Sequence, residues 1–299
     1  MSAIQTIGHN IKIKYLFPLI DGYKNRKFDG LVDEELKEIA VNNEPRKQKI
    51  IVSLTTVPSR INIIEKSLES ACRQTIKPDA IVLNLGKELF KDTVLPDFIK
   101  GYEDRGLTVK YVHDIGPHTK YYPVMKQYTN DLIITMDDDI LYDSKMIERL
   151  LDMHARYPEA VCANRAHVIT FDRDGKMLPY NSWIDAGFLG PGPSSLYLAT
   201  GVGGVLYPPG CMDEDLFNEK LIRDLSFKAD DIWLKWMQLK KGTKVVSRRA
   251  VIKHLSEASD SQKEALSYEN VNNSRNDKYI RKIKDYYAID DSAVMVGKF

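Results

Sequence analysis

One stretch constrains this chain more than any other: Leu132-Ile133-Ile134-Thr135-Met136-Asp137-Asp138-Asp139-Ile140. Its run of apolar and β-branched residues reads as a buried strand, and that strand ends in three consecutive carboxylates. Burying carboxylates without partners costs several kcal/mol each, so a cationic group must compensate them. Oxygen-only ligands suit Mg²⁺ or Mn²⁺, which such sites hold through one or two carboxylates and the phosphates of a substrate. The stretch therefore reads as a strand end that holds a metal–diphosphate. A merely acidic turn is the alternative.

The 299 residues allow one large domain or two small ones with a sizeable core. Lys and Arg number 43 against 42 Asp and Glu, a net charge of +1, so no global field favours nucleic acid or a membrane. Basic residues cluster only locally, at Arg46-Lys47-Gln48-Lys49 and Lys240-Lys241, and read as solvated faces. Cys72, Cys162 and Cys211 are odd in number and far apart, which argues against a disulfide framework or a thiolate metal site. A reducing, cytoplasmic setting fits them. No apolar run approaches the roughly 20 residues of a membrane span, and no signal-peptide pattern opens the chain. Ile11 to Ile20 is basic and apolar; it reads as a docked strand, with contact to a membrane surface as the alternative.

Residues 1–47 read as an N-terminal extension with a short acidic helix over Asp33 to Ala40. Lys49 to Thr56 is a strand, Ile61 to about Thr75 a helix, and Ala80 to Leu85 a second strand. Strand, helix, strand over about 35 residues is a βαβ unit with parallel pairing, whose ligands sit beyond the carboxyl ends of the strands. That edge carries Thr55, Thr56, Arg60 and Asn84. Thr108 to Val112 is a third strand. A polar, aromatic loop over His113 to Pro123 and a helical turn from Val124 to Tyr128 lead to the acidic strand, the fourth of this half-sheet. Ser144 then caps a helix to about Tyr157. Ala160 to Ala163 and His167 to Phe171 read as strands, Asp172 to Lys176 as a hairpin turn, and residues 178–195 as a loop that touches substrate. Gly201 to Gly210 permits close backbone approach to a ligand. Asp230-Asp231 opens a helix whose first turn suits carboxylates. Lys244 to Val246 and Ala250 to Leu255 are late strands, and residues 256–299 form a polar C-terminal extension with a helix from about Asn276 to Tyr287.

Four of these segments, in this order, carry a resemblance: Val52 to Thr56 with Arg60, Ile133 to Ile140, Gly203 to Tyr207, and Ala229 to Trp233. Over residues 48–255 the chain resembles nucleotide-sugar glycosyltransferases of the GT-A fold, nearest to the inverting family two. The resemblance implies an α/β fold with a mixed central sheet, a Rossmann-like nucleotide-binding half-sheet fused to an acceptor-binding half. It implies transfer of a sugar from a nucleoside diphosphate, most often of uracil, to a saccharide or lipid-linked acceptor. Bacterial surface polysaccharides are the common product, and peripheral membrane association follows if the acceptor is a lipid. Thr55, Thr56 and Arg60 would lie beside the base, as would Asn84, where the family often has an acidic residue. Asp137 would face the ribose. Asp139, with Asp138, would bind Mn²⁺ or Mg²⁺, and Gly203 and Gly204 would floor the sugar site. Asp230 or Asp231 would be the general base, with Asp231 favoured.

Such chemistry needs these groups. Breaking a sugar–diphosphate bond leaves negative charge on the departing oxygens, which a bound divalent ion stabilises. An inverting transfer needs a base on the opposite face, and a carboxylate at a helix start suits it; simple helix capping by Asp230 and Asp231 is the alternative. His254 is either a metal or diphosphate ligand or a structural histidine. Lys120 pairs with a phosphate or the base, or is a solvated lysine. Trp183, Trp233 and Trp236 can stack on sugars, with at least one of the last two in the core. An EF-hand counted from Asp137 fails, because Leu141 and Tyr142 stand where a ligand and a glycine are needed. A haloacid-dehalogenase-type phosphatase and an inactive nucleotide-sugar-binding relative remain as alternatives.

Overall fold

The computed structural model describes residues 38–186, 192–248, 256–257 and 275–297. Its twelve strands are β1 (Ile50–Thr56), β2 (Ala80–Gly86), β3 (Leu107–Val112), β4 (Leu132–Thr135), β5 (Ile140–Leu141), β6 (Val161–Ala163), β7 (Ala166–Val168), β8 (Ile184–Asp185), β9 (Tyr197–Ala199), β10 (Val205–Tyr207), β11 (Val245–Ser247) and β12 (Ser256–Glu257). Seven form the central sheet, in the order β11-β6-β10-β4-β1-β2-β3. β1 pairs in parallel with both β2 and β4, and β2 in parallel with β3. β10 is antiparallel to β4 and to β6, and β11 runs parallel to β6. This is the expected mixed α/β sheet, a parallel half of nucleotide-binding type fused to a mixed half.

The interior strands read as continuous apolar runs because both faces of the sheet are covered. Alternation sorts the side chains: Ile51, Ile133, Val205 and Tyr207 enter one core, and Val52, Leu54, Ile134 and Leu206 the other. Helices α1 (Glu65–Cys72), α2 (Phe98–Asp104) and α4 (Met146–Arg156) cover the second face, with Leu68, Tyr102 and Leu150 buried there. Helices α3 (Tyr122–Gln127), α5 (Glu219–Leu225), α6 (Asp230–Lys241), α7 (Arg275–Tyr287) and α8 (Asp291–Val296) contribute to the first, with Val124, Ile222, Trp233, Ile283 and Val294 buried. β8-β7-β9 form a side sheet, and β12 pairs with β5 immediately after the acidic triplet.

The chain steps from β1 through β2 to β3, then returns to lay β4 on the other side of β1. At such a reversal, here the carboxyl ends of β1 and β4, open α/β sheets place their ligand crevice. Val205 of antiparallel β10 pairs with Thr135, so Gly201 to Gly204 enter the sheet at the same edge.

Several local expectations change. The first helix begins at Glu65, because Pro58–Arg60 forms a 3₁₀ turn and residues 61–64 continue as turn. Ser144 caps nothing: Lys145 is the N-cap, its N–H donates to Asp143 Oδ1 (2.9 Å), and the Ser144 carbonyl accepts from Thr75 N–H. The 178–195 loop contains a 3₁₀ turn at Tyr180–Ser182 and strand β8. Helices α2, α5 and α8 are too short for the sequence period to declare. Lys240 is not solvated but paired with Asp213 (2.9 Å) and Asp215 (2.6 Å), and Arg46 with Asp79 (3.0 Å). Residues 38–47 dock on the domain, with Ala40 buried and its N–H donating to the Arg105 carbonyl. The Ala250 to Leu255 strand, Ile11 to Ile20 and most of the Asp33 to Ala40 helix lie outside the described residues. No helix among the described residues is long and apolar enough to cross a membrane.

Because β10 joins the two halves of the sheet, its core contacts hold the crevice together. Leu206→Ala, at a fully buried position, should cost about 2–5 kcal/mol by lost transfer energy and residual cavity. Denaturant titration should show a lower midpoint at unchanged slope.

Candidate functional site

The acidic triplet begins where the β1–β4 ladder ends, with Met136 N–H on the Ser53 carbonyl (3.0 Å). The chain then turns, and Asp137 N–H donates to the Tyr142 hydroxyl (2.7 Å). Asp138 points back under the crevice. It accepts from Thr56 Oγ1 (2.5 Å) and lies 2.7 Å from Arg60 Nη2, which is also 2.6 Å from Asp139. Burial pushes the Asp138 carboxyl up to about 6 despite the opposing pull of Arg60. Burial raises Asp139 too. The compensating cation demanded by the sequence is thus supplied in part by Arg60, whose Nε is buried without an acceptor.

A second cation, Lys120, closes the 3₁₀ turn Gly116–Lys120. It is only 7 % exposed. Its ammonium lies 2.7 Å from Asp137 Oδ1 and 2.9 Å from Asp230 Oδ2, so it ties the end of β4 to the start of α6. Burial alone would raise the Asp230 carboxyl, but the Lys120 ammonium outweighs it and holds the group below the usual carboxylate range. Asp231 behaves in the opposite way. Burial, and then the neighbouring Asp230 charge, push it up to about 7. Neither carboxylate is the N-cap, which is Ala229; Asp231 Oδ2 instead accepts the Gly201 N–H (3.2 Å).

The sequence reading singled out Gly203 and Gly204 and named Gly201 only as the start of the glycine-rich stretch. A Cβ there would stand 2.8 Å from both carboxylate oxygens of Asp137. One glycine therefore separates Asp137 from Asp231, giving a backbone N–H to one and open space to the other. Glycine-rich sequence pointed to close approach in this stretch, and only the fold shows which glycine makes it. Gly203 and Gly204 serve the sheet entry: the Gly203 carbonyl accepts from Asn164 Nδ2 (3.1 Å), and Gly204, at φ +79°, has Met146 Sδ 2.7 Å from where a Cβ would sit.

Asn84 is fully buried beneath the crevice. Its Nδ2 donates to Ser53 Oγ (2.9 Å), and Ser53 Oγ donates to the Lys120 carbonyl (2.5 Å), so the residue braces Lys120 from below. Its Oδ1 is buried without a partner. Thr55 Oγ1 donates to the Asn84 carbonyl (2.8 Å). The sugar contact expected of Trp233 is corrected. Trp233 and Trp236 both lie in the core, at 0 % and 1 % exposure, because α6 turns this face to the sheet; no ring face remains for a sugar. Trp183 is buried with Nε1 donating to the Leu178 carbonyl (2.9 Å) and packs 5.0 Å from Tyr180, which in turn meets His167 at 5.9 Å. These two neighbours were not singled out from sequence, since the 3₁₀ turn that carries Tyr180 meets His167 of β7 only in the fold. His254 lies outside the described residues.

Among the described residues, no three His, Cys, Asp or Glu side chains group to hold a metal by themselves. The donor set nevertheless fits a hard divalent ion of the kind that takes one or two carboxylates and completes its shell with phosphate oxygens. Five carboxylates, Asp137, Asp138, Asp139, Asp230 and Asp231, meet two cations, Arg60 and Lys120. Asp139 is a partly open carboxylate, with 20 % of its side chain exposed, whereas Asp138 has both oxygens engaged.

No protein-family model matches the chain, and no curated protein matches it in sequence. Solved structures do match. CMP:2-keto-3-deoxy-manno-octonic acid synthetase complexed with CTP aligns at 10 % identity and a TM-score of 0.43, over 75 % of this chain and 100 % of that one. S. aureus TarS 1-349 aligns at 13 % identity and a TM-score of 0.44, over 82 % of this chain and 73 % of that one. A longer S. aureus TarS chain aligns at 13 % and 0.43, over 70 % of this chain and 36 % of its own length. Identities this low transfer no residue roles.

Lys120→Met should leave Asp137 and Asp230 without their shared cation. The expected loss is about 3–5 kcal/mol at pH 8, the usual consequence of stripping one partner from a buried pair. A carboxyl held low in the fold stabilises above its unfolded value, near 3.9, and that contribution vanishes as the pH falls through the folded value. The gap in Tm between variant and wild type should therefore hold from pH 8 to pH 5 and narrow only below about pH 4, as thermal melts at pH 6 and pH 3 will show.

Proposed function

We propose that the crevice between β1 and β4 binds a nucleoside-diphosphate sugar and that the protein transfers the sugar, with inversion, to an acceptor hydroxyl. The observation that carries this reading is Asp231. Its carboxyl opens α6, is fixed by the Gly201 N–H, and has its proton affinity raised to about 7. It stands one glycine away from the strand-end carboxylate Asp137. A general base works best with a pKa near the working pH, and Asp230, held ionised by Lys120, is poorly suited to take a proton.

In this reading Thr55 and Arg60 border the base, with Thr56 and Asn84 bracing the floor, and Asp137 faces the ribose. Asp139 would hold Mn²⁺ or Mg²⁺, and His254 is a second candidate. Such an ion supplies charge stabilisation for the departing diphosphate. Lys120 keeps Asp137 in place and Asp230 charged, which in turn keeps Asp231 basic. The backbone from Gly201 to Gly204 floors the sugar. Asp231 removes the acceptor hydroxyl proton from the face opposite the leaving group. The acceptor is a saccharide or a lipid-linked saccharide, as in surface polysaccharide synthesis, and it enters past Tyr180 and Trp183. A uracil nucleotide is the donor base proposed, in a cytoplasmic protein that meets the membrane face if the acceptor is a lipid.

Isothermal titration of UDP and GDP, with and without Mn²⁺, tests the donor site. Binding should depend on the metal and vanish in Asp139→Ala; no binding of either nucleotide overturns the reading, and a phosphate-release assay then tests the phosphatase. Asp231→Asn should bind nucleotide with unchanged affinity yet lose turnover by about 10²-fold or more. Because the base must be unprotonated, kcat/KM of the wild type should rise with pH through about 7, and a profile flat from pH 5 to 8 would remove Asp231 from that role.

A further inference from the structure

Arg60 closes the 3₁₀ turn that follows β1, with 14 % of its side chain exposed. A single nitrogen, Nη2, lies 2.7 Å from Asp138 Oδ1 and 2.6 Å from Asp139 Oδ2. A guanidinium bonds a carboxylate best as a fork, with two N–H groups on its two oxygens. Arg149 does so elsewhere in the chain, with Nη1 and Nη2 on the two oxygens of Asp143. Arg60 does not. Close as its two contacts are, they are not aligned as hydrogen bonds, for Nε and Nη2 are both buried without an acceptor.

One atom shared between oxygens of two adjacent aspartates is how a metal cation sits, not how an arginine forks. An ion about 2.1 Å from Asp139 Oδ2, with a guanidinium nitrogen 2.6 Å from the same oxygen, would crowd two positive centres onto one atom. The Thr56 hydroxyl already takes Asp138 Oδ2, so the other oxygen of Asp138 is open only if Arg60 leaves it. Turned away from both, the same guanidinium offers a fork whose geometry matches the oxygens of a diphosphate.

We propose that Arg60 is a placeholder for the divalent ion and becomes a ligand of the nucleotide's diphosphate: the ion displaces Nη2 from Asp139, and the freed guanidinium pairs with the diphosphate that arrives with it. This rests on the donor-site reading above and extends the place of Arg60 beside the base. No covalent bond changes; ion pairs are exchanged. Each ligand alone is penalised. The ion alone leaves a largely buried guanidinium without a counter-charge, and the diphosphate alone takes the guanidinium from two largely buried carboxylates. Arriving together they leave no charge unpaired, so each raises the affinity of the other by the same factor. Until then Arg60 keeps Asp138 and Asp139 compensated.

Calorimetry on the full chain with Mn²⁺ alone, UDP alone and each in the presence of the other measures that factor, corrected for the Mn²⁺–UDP complex of free solution; GDP replaces UDP if it alone binds. The wild type should show a coupling of about 10²-fold. In Arg60→Met, Mn²⁺ alone should bind about tenfold more tightly, and the coupling should fall by about tenfold. The fall is the deciding readout. A guanidinium that stayed on its carboxylates would change each single affinity through its charge and cancel from the coupling. An unchanged coupling in folded Arg60→Met overturns the proposal and leaves the donor reading intact. A wild-type coupling below about tenfold overturns it as well, and needs no variant. If neither nucleotide binds under any condition, the donor reading falls and this proposal falls with it.

Discussion

The Lys120 ammonium, caught between Asp137 and Asp230, is the contact on which the site depends. It joins two segments more than ninety positions apart, the end of the central parallel strand and the first turn of the helix that covers the other half of the sheet. Either carboxylate alone would be costly at this depth. Together with one cation they form a fixed strut, braced from below by the chain of hydrogen bonds from Asn84 through Ser53 to the Lys120 carbonyl.

That strut also explains why two adjacent aspartates differ. Asp230 faces Lys120 and stays charged; Asp231 has burial and the Asp230 charge against it and holds its proton to about 7. Consecutive residues on a helix point about 100° apart, so one turns toward the cation and the other toward the backbone of Gly201. Environment, not residue type, separates an anchoring carboxylate from a basic one. Arg60 plays the corresponding part on the other side, holding Asp138 and Asp139 in the crevice wall.

What the sequence by itself determined is the part written in short-range pattern. Apolar strands over Ile50–Thr56, Ala80–Gly86 and Leu132–Thr135 declare a buried parallel half-sheet, because side-chain period and β-branching act over a few residues. The acidic triplet after a strand, and the aspartate pair opening a helix, marked a candidate site for the same reason. Arg60 and Thr56 were legible because a βαβ unit delivers its carboxyl ends to one edge.

Tertiary structure decided what depends on residues distant in sequence. The three-residue strand β10 carries too little period to be assigned, yet it is the antiparallel splice between the sheet halves. Gly201 rather than Gly203 or Gly204 meets the carboxylates, because strand register against Thr135 sets which glycine lies beside Asp137. Trp233 is core, not platform, because the rotation of α6 is fixed by its packing. The same rotation buries Lys235, a placement that a lysine between two tryptophans does not disclose, since burial and charge pairing are properties of the packed whole.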